Sequence, residues 1–145
     1  MYKNILTAVD GSAHGAAVLD AVAGLAKLTG GQVHVIHIRS SQVIGGGLTG
    51  GAVVTAEESA EGRRVVDEAL ARLREDGITA DGEVDEGLRE ELAAILVERA
   101  AELGSDLIAV GPGHYSGIAA LLHSSVSRGV AKTAPVSVLL VRSEA

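Results

Sequence analysis

Lys3-Asn4-Ile5-Leu6-Thr7-Ala8-Val9, stopped at once by Asp10-Gly11-Ser12, decides the architecture. A short apolar run that breaks on a turn reads as a buried strand, and Ser12 or Asp10 can cap a helix leaving it. Past the turn Val18, Val22 and Leu25 recur at i, i+4 and i+7 and give that helix one apolar face, which Gly30-Gly31 ends. Residues 33–38 (VHVIHI) then read as a second strand.

The same alternation continues outward from this unit. After a Ser- and Gly-rich stretch over residues 39–55, helical spacing resumes over residues 57–76 through Val65, Val66, Ala69, Leu70 and Leu73. Residues 78–84 form a weaker strand, polar enough to lie at a sheet edge. Leu88, Leu92, Ile95, Leu96 and Leu103 mark a third helix, and residues 106–110 (DLIAV) a short buried strand. A linking segment over residues 115–123 leads to Ser124-Ser125, which can cap a last helix through Val126 and Val130. Pro135 opens the closing strand, Val136 to Val141, apolar on both faces. Five strands alternating with four helices predict a doubly wound, mostly parallel sheet with helices on both faces. Such a sheet binds ligands beyond the carboxyl ends of its strands, where strand order reverses.

The bulk composition agrees with one domain over residues 1–145. A chain of this length buries roughly 70% of its unfolded surface and needs no staple. Hydrophobic residues make up 47%, yet there is no Phe or Trp, and Tyr2 and Tyr115 are the only aromatics. Small branched side chains of this kind suit helices packed closely on a parallel sheet. With no Cys, disulfides, thiolate metal sites and cysteine nucleophiles are excluded. No apolar run approaches the roughly 20 residues of a membrane helix, and Lys3 and Asn4 interrupt any leader-like opening, so the cytoplasm is the expected location. A formal charge of −7 without a basic cluster argues against nucleic acid.

Two strand ends can carry chemistry. At the first, Ala8-Val9-Asp10-Gly11-Ser12, a carboxylate just past the strand can accept hydrogen bonds from a ribose or an adenine amino group, or can merely cap the helix. At the second, Val110 runs into Gly111-Pro112-Gly113-His114, with Ser124-Ser125-Val126-Ser127 further on. Glycine amides and a helix N-terminus can cradle a phosphate there, and the alternative is an ordinary turn and Ser cap.

Several of these stretches together resemble the universal stress protein family. They are Val9-Asp10-Gly11-Ser12, His37-Ile38, residues 106–111 (DLIAVG), Ser116-Gly117, residues 121–128 (LLHSSVSR) and residues 134–141 (APVSVLLV), in order along the whole chain. The resemblance implies an adenine nucleotide alpha hydrolase-like fold with strand order 3-2-1-4-5. It implies a homodimer through the last strand, Val136 to Val141, and a stress-response binding protein rather than an enzyme. It further implies ATP, with Mg2+, held by Ala8, Val9, Asp10, Ile38, Val110, Gly111, Gly113, His114, Ser124, Ser125, Val126 and Ser127. ATP-binding members carry G-x2-G-x9-G-[ST]; on this chain Gly111 and Ser125 match, while His114 and Ser124 replace glycines. A Cβ at those two positions narrows the space for phosphates. The alternatives are a dimeric interaction protein of the same fold without a ligand, and a slow nucleotide hydrolase, which would need a metal and a positioned base.

Two patterns are decoys. Gly45, Gly47 and Gly50 spell G-x-G-x-x-G, but the stretch neither leaves a strand directly nor enters a helix, as a dinucleotide fingerprint must. His34 and His37, three apart on a strand, face opposite sides of the sheet and cannot share a metal.

Overall fold

The computed structural model describes residues 1–41, 56–111 and 118–142, with side chains described for all of these except 13, 14, 40, 41, 56–59, 89 and 118–125. The elements are β1 (Asn4–Ala8), α1 (Ala13–Thr29), β2 (Gln32–Ser41), α2 (Ala56–Glu75), β3 (Ala80–Leu88), α3 (Leu92–Leu103), β4 (Leu107–Val110), α4 (Ile118–Thr133) and β5 (Ser137–Leu140). The sheet runs β3-β2-β1-β4-β5 and all of its pairings are parallel.

Strand alternation sorts the apolar residues onto two faces. Ile5, Val33, Val35, Leu107 and Ala109 join α1 and α2 through Val18, Val22, Val66 and Leu73. Leu6, Ile36, Ile108 and Val110 join α3 and α4 through Leu96, Ala100 and Val130. Thr7, buried in the middle strand, hydrogen-bonds the Ala109 carbonyl at 3.1 Å and so adds no orphaned hydroxyl to the core. Small residues let the layers approach closely. A Cβ built on Gly129 of α4 would lie 2.7 Å from Ala93 Cβ of α3. Helices α1 and α3 stop on Gly30 and Gly104, whose left-handed φ of 69° and 66° turn the chain back toward the sheet.

Several boundaries differ from the sequence reading. β2 continues to Ser41 and β3 to Leu88, because the two pair over their full lengths, from Val33↔Ala80 to Ser41↔Leu88. That ladder carries the polar Asp85-Glu86-Gly87 into a strand that local propensity disfavours. Leu88, expected to open the third helix, therefore closes β3, and a 3-10 turn, Arg89–Glu91, precedes α3. The largest correction concerns α4, which begins at Ile118. Ser124 and Ser125 lie in its interior and do not cap it. Ile118-Ala119-Ala120-Leu121-Leu122 are good helix formers in spacing with Val126 and Val130, so residues 118–123 of the expected linker are the first part of the helix.

Ion pairs tie the polar faces together. Arg99 of α3 forks onto Glu83 of β3, with Nη2 3.0 Å from Oε2, and its Nη1 meets Glu102 at 2.6 Å. The Arg99 guanidinium holds the Glu83 carboxyl below the ordinary range. His34 adds its Nδ1 at 2.8 Å from Asp81 of β3, on the face opposite His37.

Candidate functional site

The chain leaves β1 toward β2 and leaves β4 toward β5, so the strand order reverses between β1 and β4. Their pairing stops early. The β1–β4 register ends at Thr7↔Ala109, whereas β1 stays with β2 to Ala8↔Ile36 and β4 stays with β5 to Val110↔Leu140. Beyond those pairs the Val9 amide still donates to the Ile36 carbonyl at 2.9 Å, and the Val141 amide to the Val110 carbonyl at 2.9 Å. Each central strand end thus follows its outer neighbour, and the two part at the point where a parallel sheet of this order is expected to form a ligand crevice.

One rim is the Asp10 turn. Asp10 is exposed, and its Oδ1 accepts the Ser12 amide at 2.9 Å, bridging Gly11. This is a hold on a residue two positions ahead, not a bond to the first helical amides. Ser12 is the N-cap by backbone conformation, but its side chain makes no cap hydrogen bond and its Oγ is buried with no hydrogen-bond partner among the described residues. The expectation that Ser12 or Asp10 caps α1 through its side chain is corrected in this respect. Gly11 has φ +81°, and a Cβ there would meet Val65 Cγ2 of α2 at 2.9 Å. Conformation and close packing both demand glycine at this position.

The other rim is the end of β4. Gly111 is partly exposed, its carbonyl accepts the Ser127 hydroxyl of α4 at 3.0 Å, and a Cβ on it would face Val18 Cγ2 at 3.0 Å. On the α3 and α4 face of the sheet, Ala8, Ile38 and Val126 are partly buried and pack on the same apolar cluster as buried Val110. Val9 points the other way, into the α1 and α2 face. Asp10, Gly111, Ser127 and this aliphatic wall are therefore brought to one end of the sheet. Gly113 and His114 lie outside the described residues, as does the Gly45 to Gly51 stretch. Ser124 and Ser125 sit within α4, past its first turn, where amides are committed to the helix ladder.

One contact at this site escaped the sequence reading. His37 Nδ1 lies 2.8 Å from the Val9 carbonyl oxygen. The available signal was its place in the core-facing row Val33, Val35, His37, where an imidazole needs a polar partner. Among the described residues no group of three or more His, Asp or Glu side chains is arranged to hold a metal ion. None of the described helices is long and apolar enough to cross a membrane.

Comparison with known proteins agrees with this architecture. A profile described as the universal stress protein family matches residues 1–142. The universal stress protein YxiE of Bacillus subtilis is 31% identical over 151 residues, covering 98% of this chain and 100% of that protein. A crystal structure of a protein from the universal stress protein family of Burkholderia pseudomallei shares 27% identity. It superposes with a TM-score of 0.74 over 97% of this chain and 96% of that one. The universal stress protein from Archaeoglobus fulgidus in complex with dAMP has the same fold at 24% identity, TM-score 0.73, over 97% and 98% of the two chains. With its whole length matched in sequence and its sheet order 3-2-1-4-5 matched in structure, the chain belongs to the universal stress protein family.

Proposed function

We propose that the crevice between β1 and β4 takes an adenine nucleotide, and that the protein is a nucleotide-responsive stress-response binding protein rather than an enzyme. The observation that carries this reading is the early parting of β1 and β4 at the point of strand reversal, with the exposed Asp10 carboxylate on the rim. An adenosine fits the chemistry. The carboxylate accepts from ribose or adenine, Ala8, Ile38 and Val126 offer aliphatic surface to a ring, and Gly111 and Ser127 stand toward the phosphate side. ATP would arrive with its own Mg2+ on the phosphate oxygens, which asks no metal cluster of the protein. The dAMP held by the Archaeoglobus fulgidus protein makes a nucleoside monophosphate the first probe.

A second reading, the same fold acting as an interaction protein without nucleotide, is favoured by one feature. With α4 starting at Ile118, Ser124 and Ser125 do not offer the free helix N-terminal amides that a triphosphate would use.

Calorimetric titration of AMP and of ATP with Mg2+ separates the two. Saturable binding that weakens about tenfold or more in Asp10→Ala is expected, since a hydrogen bond to a charged group is lost. Absence of heat and of any thermal shift with both nucleotides at millimolar concentration would establish the ligand-free reading. Sustained phosphate release from ATP would overturn the non-catalytic part of the proposal.

A further inference from the structure

Val9 lies one residue beyond β1, yet both of its backbone polar groups are held by β2. Its amide donates to the Ile36 carbonyl at 2.9 Å, and its carbonyl oxygen lies 2.8 Å from His37 Nδ1. A carbonyl can only accept, so Nδ1 carries a proton, and in the neutral imidazole Nε2 is then the acceptor nitrogen. The carbonyl it holds belongs to the peptide that joins Val9 to Asp10. Fixing that oxygen fixes the plane from which the Asp10 residue departs.

Behind the ring stands α2. A Cβ on buried Gly62 would lie 3.1 Å from His37 Cδ2, and Val65, almost one turn further on, abuts Gly11. Strand β2 and helix α2 thus grip the turn 9–12 from two sides, while the Asp10 carboxylate closes it internally on the Ser12 amide.

We infer that His37 is the positioning residue of the Asp10 turn: its Nδ1–H holds the Val9 carbonyl, with α2 as the backstop, and so sets the Asp10 carboxylate at the rim of the crevice. The consequence for nucleotide affinity rests on the function proposed above; the structural role does not.

The test therefore has a ligand-free arm and a ligand arm. In the free protein, long-range proton–nitrogen spectroscopy of the neutral His37 ring is expected to show Nδ1 protonated and Nε2 bare; the opposite tautomer would overturn the inference. Amide exchange at Gly11 and Ser12 is expected to quicken in His37→Ala by about two- to tenfold, the worth of one net hydrogen bond. It should return toward wild type in His37→Asn, whose amide can donate from nearly the same place. Equal exchange in all three proteins would overturn it. If His37→Ala does not fold, Gly62→Ala, which presses on the ring, serves instead, and unchanged Ser12 exchange and ring signals there count against the inference. In the ligand arm AMP is titrated. Weaker binding in His37→Ala, again about two- to tenfold, with recovery in His37→Asn supports it, and equal affinities overturn it. If the wild type itself ignores AMP and ATP, the nucleotide reading fails while the ligand-free arm still decides the role of His37.

Discussion

Asp106 shows how a single side chain ties distant parts of this fold. It stands just before β4, and its carboxylate accepts the Lys3 amide at 2.9 Å and the Asn4 amide at 3.0 Å, so it anchors the entry of the neighbouring strand β1. Burial pushes its carboxyl up, but the amides of Asn4, Lys3 and Asp106 and the N-terminal ammonium outweigh that and hold it below the ordinary range. A depressed folded-state value means that this contribution to stability is present above the ordinary carboxylate range and is lost as pH falls through the depressed one. Asp106→Asn is therefore expected to cost about 1 kcal/mol at neutral pH, and the wild-type and mutant stabilities should converge in strong acid. Denaturant unfolding at several pH values checks this; a constant difference down to acid would refute it. In the sequence Asp106 was legible only as the start of a strand, because its partners are more than a hundred residues away. Asp10 was legible as a carboxylate at a strand end. Its bond to Ser12, and the grip of His37 on Val9, were not, since they depend on how β2 and α2 dock against the turn.

At the scale of elements, type and order were readable from periodicity, and boundaries moved wherever a neighbour intervened. β3 gained Asp85 to Leu88 because β2 offered a ladder, and α4 gained residues 118–123 because helix formers continued its apolar spacing. The α3–α4 seam is the element contact most exposed to test. Gly129→Ala places a methyl 2.7 Å from Ala93 Cβ, closer than side chains approach, so the helices must part. Overpacking of this kind is expected to cost about 1–3 kcal/mol. Ala93→Gly alone should destabilise α3 by about 1 kcal/mol, yet added to Gly129→Ala it should restore part of the loss. A double-mutant cycle from chemical unfolding measures that coupling; strictly additive effects would show that the seam is not the close contact described.

For the whole molecule the open question is the edge of the sheet. Among the described residues β5 is paired to β4 on one side only, Val138 and Leu139 are half-buried, and Leu140 is 44% exposed. An apolar edge strand left uncovered invites association, and antiparallel pairing with a second copy satisfies it symmetrically. We propose a homodimer through β5. Sedimentation should give a dimer whose dissociation constant rises about tenfold or more in Leu140→Lys, given the apolar surface removed; a monomeric wild type would refute it. The sequence by itself determined the alternation of strands and helices, the burial of β1 and β4 in a sheet covered on both faces, and the strand ends where a site can form. These follow from local periodicity and turn chemistry, which act within a few residues. Tertiary structure alone decided that β1 and β4 part after Thr7 and Ala109, that Ser124 and Ser125 lie inside α4, and that His37 rather than a cap holds the Asp10 turn. Those features arise from ladders and contacts between segments far apart in the chain, whose geometry exists only once the layers have packed.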